Sequence, residues 1–213
     1  PSNTRNQSAL AELSAQLAAA VETAASSVVA IHARRRIPSS GIIWRDGIIV
    51  SASHTVKRDD EVPVALPNGD SATASVVGRD AGTDFIALRL NGGQVKATAA
   101  KADDARVGSL VLAVGRPGRD VAASFGIISA IGESWRSWQG TRIDRVLRLD
   151  LGVYDGFSGS PLVDASGAIV GMNNSALARG NPLALPVVAV DRILDELLES
   201  GHVRRPFIGV ALQ

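Results

Sequence analysis

Gly156-Phe157-Ser158-Gly159-Ser160-Pro161-Leu162 is the stretch on which the reading of this chain turns. A serine stands between glycines, just after the acidic, turn-forming pair Tyr154-Asp155. An apolar run with its own turn follows, from Leu162-Val163 through Ser166-Gly167 to Ile169-Val170-Gly171. Glycine reaches backbone dihedrals that other residues avoid and lets a ligand come close to the main chain. The amides of such a loop can point at one spot beside the hydroxyl, where negative charge develops in acyl transfer. The plainer reading is a β-turn between two strands, and the loop alone does not separate the two.

Residues upstream do. His54, in Ser51-Ala52-Ser53-His54-Thr55-Val56, follows the apolar run Ile48-Ile49-Val50 and so lies just past a strand. Asp84, in Gly82-Thr83-Asp84-Phe85-Ile86-Ala87-Leu88, stands at the start of another. The chain order His, Asp, Ser is that of the chymotrypsin-type triad. An attacking serine hydroxyl must lose its proton to a neutral imidazole, and a carboxylate on the other ring nitrogen fixes the imidazole's tautomer and orientation. His54 is therefore the candidate base, Asp84 the candidate carboxylate, and the Gly156 and Ser158 amides the candidate oxyanion donors. Read plainly, His54 is a half-exposed strand-end histidine and Asp84 a turn or capping residue. Asp80 is the nearest competing carboxylate, but it does not lead directly into the strand.

On these residues the chain resembles the trypsin-like serine protease domain of the HtrA/Deg family. Gly41-Ile42-Ile43-Trp44-Arg45-Asp46-Gly47-Ile48-Ile49-Val50 is similar to the family's hairpin ahead of the histidine. Thr83 through Leu88 is similar to its aspartate segment, and Ser124-Phe125-Gly126-Ile127-Ile128-Ser129-Ala130 to its Ser-Gly-Ile-Val-Ser strand. Asp150 through Leu162 resembles the nucleophile loop, Gly171-Met172-Asn173 the edge that holds substrate backbone, and Ala184-Leu185-Pro186 an Ala-Ile-Pro near the end of the fold. The resemblance covers about residues 24–205 and implies a mainly β fold: two packed six-stranded antiparallel barrels, chymotrypsin-like, with an N-terminal and a C-terminal helix. The first barrel would span about 24–100 and the second about 110–190, with the site in the cleft between them. It also implies an extracytoplasmic bacterial protein, periplasmic or in the cell envelope, and an oligomer, since family members are commonly trimers.

Two positions depart from the family pattern. Asn is usual before the serine and Gly two residues after it; here they are Phe157 and Ser160. The phenyl ring must pack beneath the loop or cover it. Ser160 brings a Cβ where glycine is usual, which narrows the dihedrals open to it. Either change bears on the oxyanion donors.

The candidate specificity walls are neutral. Leu151-Gly152-Val153 offers no acid to bind a basic side chain, and Asn173-Asn174-Ser175-Ala176-Leu177 opposite is small and uncharged. The expectation is cleavage after small or medium aliphatic residues, with substrate backbone added along Met172-Asn173-Asn174.

Composition narrows the remaining classes. The chain has 213 residues, 46% of them hydrophobic, with few aromatics, so the core is built from Val, Ile, Leu and Ala. A net charge of +1 argues against an electrostatic nucleic-acid surface. Arg34-Arg35-Arg36 reads as a solvated loop, with an anion site as the alternative. Without cysteine there is neither a disulfide nor a thiolate metal site, and His32, His54 and His202 lack metal-ligand spacing. No cofactor is expected. No stretch has the length and apolarity of a membrane span or a signal peptide.

Along the chain, residues 1–23 form an N-terminal segment whose Leu10, Leu13, Leu17 and Val21 mark an amphipathic helix, packed on the core or serving as an oligomer contact or tether. Residues 1–7 read as loose. Short apolar runs alternate with turn signals such as Asp46-Gly47, Pro67-Asn68-Gly69-Asp70 and Ser166-Gly167 from Val28 to Val190, the pattern of an all-β barrel protein. A helix over 191–200 opens at Asp191, with Ile193, Leu194, Leu197 and Leu198 on one face and Gly201 as its stop. The tail 206–213 resembles the start of a linker into a PDZ domain. Trp135 and Trp138 lie in a polar segment, Glu133 to Arg142, read either as barrel packing or as a substrate-sensing loop.

The function expected from all this is a serine endopeptidase of HtrA type acting on unfolded or misfolded polypeptides. The alternatives are a pseudoprotease kept as a peptide-binding or regulatory module, and an esterase using the same chemistry.

Overall fold

A computed structural model describes residues 2–34, 36–58, 61–92, 95–132, 135–136, 142–143, 145–177 and 182–203. Strands β1 (Val28–Ile31), β2 (Ser39–Arg45), β3 (Ile48–Ala52), β4 (Val62–Ala65), β5 (Ser71–Asp80) and β6 (Phe85–Leu90) close a first antiparallel barrel, in the order β1-β2-β3-β6-β5-β4. Strands β7 (Leu110–Gly115) and β8 (Ala122–Gly132) begin a second. Two short strands, β9 (Trp135–Arg136) and β10 (Arg142–Ile143), pair with each other outside it. The second barrel is completed by β11 (Val146–Asp150), β12 (Pro161–Asp164), β13 (Ile169–Asn174) and β14 (Leu183–Pro186), closing as β11-β14-β13-β12-β7-β8. Trp138 and much of the polar segment around it lie outside the described residues, as do Arg35 and the tail 206–213. Arg34 and Arg36, which flank Arg35, are exposed.

Each barrel has an aliphatic interior. Val29, Ile31, Ile43, Ile49, Ile86 and Leu88 fill the first, and Val111, Ile128, Leu147, Leu162 and Val170 the second. A third cluster joins the two, with Ile42, Trp44, Val50 and Phe85 from one barrel meeting Leu112, Val114, Met172 and Leu185 from the other. This explains why β2, β3 and β13 read as nearly continuous apolar runs rather than strict alternation: one face turns into a barrel and the other into the seam.

Two helices brace the seam. The N-terminal helix α1 runs Ser2–Ala25, so residues 2–7, read from sequence as loose, are helical. Among the described side chains, those that dock lie in its C-terminal half. Ala20 and Ala24 are buried, with Leu17 and Val21 packed beside them, while Leu10 and Leu13 are exposed. The C-terminal helix α2 spans Val187–Ser200 and starts four residues before Asp191, the start expected from sequence. Pro186 ends β14 in an extended conformation (φ −67°, ψ 157°), and Val187 and Val190 join Ile193, Leu194 and Leu197 on the buried face. The valines look like strand in the sequence, but their spacing continues that face. Each fully buried leucine or isoleucine contributes about 1.5–3 kcal/mol. Gly201 stops the helix as expected, with its amide on the Leu197 carbonyl at 2.9 Å.

Asp191, no longer a cap, ties α2 to the first barrel. It accepts from Trp44 Nε1 at 2.7 Å and pairs with Lys101 at 3.1 Å and Arg45 at 3.4 Å. Burial by itself would raise its carboxyl, but the bonds from Trp44, Lys101 and Arg45 outweigh it and hold the group below the usual carboxylate range. Among the described residues no helix is long and apolar enough to cross a membrane.

Candidate active site

The register of β3 against β6 places Ala52 opposite Phe85, so the chain just after β3 lies beside the chain just before β6. His54 stands on a single 3-10 turn, Ser53–Thr55, and Asp84 on the bend that opens β6. The Ser53 amide donates to the Asp84 carbonyl at 2.9 Å and locks the two segments together. Asp84 adopts φ 52°, a left-handed conformation that aspartate tolerates better than most residues. Its carboxylate accepts twice from His54: from the backbone amide at 2.7 Å and from Nδ1 at 2.5 Å. A carboxylate only accepts, so the Nδ1 bond leaves Nε2 as the basic nitrogen. A third donor comes from the other barrel, Asn174 Nδ2, 2.9 Å from Asp84 Oδ2. Asp80 is instead used locally, accepting from Thr83 Oγ1 at 2.6 Å and from the amides of Gly82 and Thr83.

Ser158 reaches the same cleft because its loop is bonded to both barrels. The Gly159 amide donates to the Asn173 carbonyl, and the Asn173 amide to the Ser160 carbonyl, each at 2.8 Å. Across the seam, Ser40 Oγ donates to the Gly156 carbonyl at 2.7 Å and accepts from the Arg116 amide at 2.8 Å. Ser51 Oγ in turn donates to the Ser40 carbonyl at 2.7 Å. Gly156 and Gly159 have φ +89° and +87°, and neither has room for a side chain. A Cβ on Gly159 would fall 2.2 Å from Ser51 Oγ and 2.4 Å from the Ser40 carbonyl. Glycine at 159 is thus what lets the nucleophile loop rest on the first barrel.

Phe157 packs beneath the loop. It is 1% exposed, meets Tyr154 edge-on at 5.6 Å, and lies where a Cβ on Gly115 would be. The missing hydrogen bonds of an asparagine are replaced by apolar burial and by the Phe157 amide on the Tyr154 carbonyl at 3.0 Å. Ser160 is fully buried without a left-handed backbone, and its Oγ accepts from Asn173 Nδ2 at 3.1 Å. Among the described residues the amides of Gly156 and Ser158 have no acceptor, so both are open to a ligand.

The Ser158 hydroxyl is bonded to Ser175 Oγ at 2.6 Å, and the Ser175 amide donates to it at 3.3 Å. No hydrogen bond joins it to His54.

The residues expected to form specificity walls divide. Leu151 and Val153 are half-buried, and Gly152 is exposed with the Tyr154 hydroxyl over it. Met172 is buried in the seam. Asn173 is buried beneath the loop, with Nδ2 on the Ser160 and Pro161 carbonyls as well as Ser160 Oγ. The main chains of Met172 and Asn173 are used inside the barrel, against β12, β14 and the nucleophile loop, and Asn174 is buried and paired with Leu183, so a further strand finds no edge before half-buried Ser175. Sequence reading missed Ser40, Ser51 and the Asn174–Asp84 bond. The signal was there in the serines: Ser40 and Ser51 are polar residues at the ends of apolar runs, and buried hydroxyls need partners.

A profile of the trypsin-like peptidase domain matches residues 39–172, most of both barrels. The chain belongs to the trypsin-like peptidase family, on its HtrA/Deg branch. Among HtrA/Deg relatives, the serine protease Do-like HtrB of Bacillus subtilis is 34% identical over 188 residues, covering 81% of this chain and 41% of the relative. A probable periplasmic serine endoprotease, DegP-like, of Halomonas elongata is 32% identical over 187 residues, covering 84% of this chain and 39% of the relative. The chain therefore spans about two fifths of the length of these curated relatives. Solved HtrA/Deg structures superpose well. The serine endoprotease from Yersinia pestis gives a TM-score of 0.76 at 27% identity, covering 92% of this chain and 71% of that one. Deg5 gives 0.78 at 25%, covering 89% and 97%.

Proposed function

We propose that this chain is the peptidase domain of an HtrA-type serine endopeptidase that hydrolyses peptide bonds in unfolded or misfolded polypeptides. One observation carries the proposal: the successive residues Asn174 and Ser175 are bonded to the carboxylate of a histidine–carboxylate pair and to a serine hydroxyl, and the amides of that serine and of Gly156 have no acceptor among the described residues. His54 acts as base, Asp84 as the carboxylate that holds it, and Ser158 as nucleophile. Ser158 Oγ bonds to the scissile carbonyl carbon while its proton passes to His54 Nε2. The carbonyl oxygen takes the negative charge beside the Gly156 and Ser158 amides, where one such donor is worth about 10²–10³ in rate. Collapse breaks the C–N bond, and His54 returns the proton to the leaving amine. Water, deprotonated by His54, then cleaves the acyl-enzyme to a carboxylic acid and restores Ser158.

The pseudoprotease reading rested on an oxyanion site spoiled by Phe157 and Ser160. The burial of Phe157 beneath the loop and the unstrained backbone of Ser160 weigh against it. Cleavage after small or medium aliphatic residues is supported by the neutral walls Leu151–Val153 and by Tyr154 lying over Gly152, which narrows the space there. Location outside the cytoplasm is proposed from relatives named as periplasmic, and assembly into a homo-oligomer from the family resemblance. One experiment tests the mechanism: a fluorophosphonate probe read by mass spectrometry, on wild type, Ser158→Ala and His54→Ala. Labelling at Ser158 that is lost in both variants is the expected result. Mapping of cleavage sites in casein tests the specificity, and a majority of cuts after Arg or Lys would refute it.

A further inference from the structure

The hydroxyl that must give its proton to His54 is bonded elsewhere. Ser158 Oγ is hydrogen-bonded to Ser175 Oγ at 2.6 Å, with either hydroxyl able to donate, and accepts from the Ser175 amide at 3.3 Å. His54 and Asp84 are meanwhile already joined, at 2.5 Å. Ser175 is the first residue past β13, where the edge open to a substrate strand begins. Its position relative to Ser158 follows from the barrel, because the Gly159–Asn173 and Asn173–Ser160 bonds fix the nucleophile loop against β13.

We infer that Ser175 is a positioning residue: it parks the Ser158 hydroxyl away from His54, and a substrate bound beside half-buried Ser175 displaces that bond. This rests on the hydrolytic reading of Ser158 above. Accepting from the Ser175 amide engages a lone pair needed for attack, and the hydroxyl–hydroxyl bond either engages the second lone pair or, with Ser158 as donor, points its proton away from Nε2. Release needs only rotation about one side-chain bond, a movement of picoseconds to nanoseconds. Ser175 therefore biases a population rather than imposing a slow gate. The free enzyme's apparent reactivity is the intrinsic one multiplied by the fraction of molecules with the hydroxyl unparked. One neutral hydrogen bond in water-accessible surroundings sets that factor at about three- to ten-fold.

The test compares wild type, Ser175→Ala and Ser175→Thr, after equal urea unfolding midpoints show that all three fold. A small fluorophosphonate, which does not extend along the Ser175 edge, should label Ser158 about three to ten times faster in Ser175→Ala. Ser175→Thr keeps the hydroxyl and should label at the wild-type rate. With a peptide substrate, Ser175→Ala should gain through a KM lowered by about the same factor and not through kcat, because the substrate has already released the hydroxyl in the bound state. A merely structural role for Ser175 would lower kcat. Equal labelling in all three proteins, or slower labelling in Ser175→Ala, overturns the parking role and leaves the hydrolytic reading intact. No labelling at Ser158 in any of them overturns the hydrolytic reading and this inference with it.

Discussion

His54 and Asp84, on the first barrel, are joined by two hydrogen bonds to one carboxylate, and a third comes from Asn174. Ser158, on the second barrel, bonds to Ser175, which lies outside the relay. The base side is assembled by the register of two neighbouring strands, so local pairing is enough to build it. The nucleophile side depends on contacts that cross the seam: Ser40 to Gly156, and Gly159 against Ser40 and Ser51. The base side is built by its own barrel with one added bond from Asn174, whereas the nucleophile side combines its own barrel's bonds to Asn173 with contacts across the seam.

The hardest break of this contrast removes a relay member outright. Ser158→Ala and His54→Ala should each lower peptide hydrolysis by about 10⁴–10⁶-fold while leaving the fold in place, as read by kcat and by circular dichroism. Gly159→Ala attacks the seam instead. It forces a Cβ into Ser51 and Ser40 at a left-handed backbone, and should cost roughly 3 kcal/mol in urea unfolding together with loss of Ser158 labelling. The equivalent change on the base side, Asn174→Ala, should be milder because His54 still holds Asp84 twice. A hydrogen bond to a charged group is worth about ten- to a hundred-fold, so kcat should fall within that range while the unfolding midpoint moves little. Should Gly159→Ala keep its stability, or Asn174→Ala abolish turnover, the two sides are not held as described.

The smallest effect concerns the brace across the seam. The carboxyl of Asp191 is held low by Trp44, Lys101 and Arg45, against the opposing effect of its burial. A carboxyl lower in the folded than in the unfolded state stabilises fully above its unfolded value and loses that contribution as pH falls through the folded one. Asp191→Asn should therefore cost about 1 kcal/mol near neutrality for a partly exposed pair, and the difference from wild type should start to shrink only as pH falls below about 4 and be gone once pH is below the folded carboxyl's own, lower value. Thermal melts of both proteins at several pH values read this directly. A difference that persists unchanged in acid would show that charge at Asp191 plays no part.

The fold and the site separate in how far they could be read beforehand. Asp46-Gly47, Asn68-Gly69 and Ser166-Gly167 mark their turns because glycine takes positive φ in all three. His54 and Asp84 were legible because each abuts an apolar run, and strand ends are where paired strands bring distant residues together. The start of α2 was not, because Val187-Val188 has strand propensity and only the seam turns that spacing into a buried helical face. Nor was the division of α1, since Leu10, Leu13, Leu17 and Val21 repeat alike in the sequence while the barrel's surface ends partway along them.

The amino-acid sequence by itself determined the barrels' strand and turn pattern and the three residue types of the relay in their order, because turn chemistry and hydrophobic runs act over a few residues. Tertiary structure alone decided three things. It put Phe157 under the loop, joined Asn174 to Asp84, and set the Ser158 hydroxyl against Ser175. Each depends on atoms brought together by barrel closure and packing, over separations along the chain that no local pattern encodes.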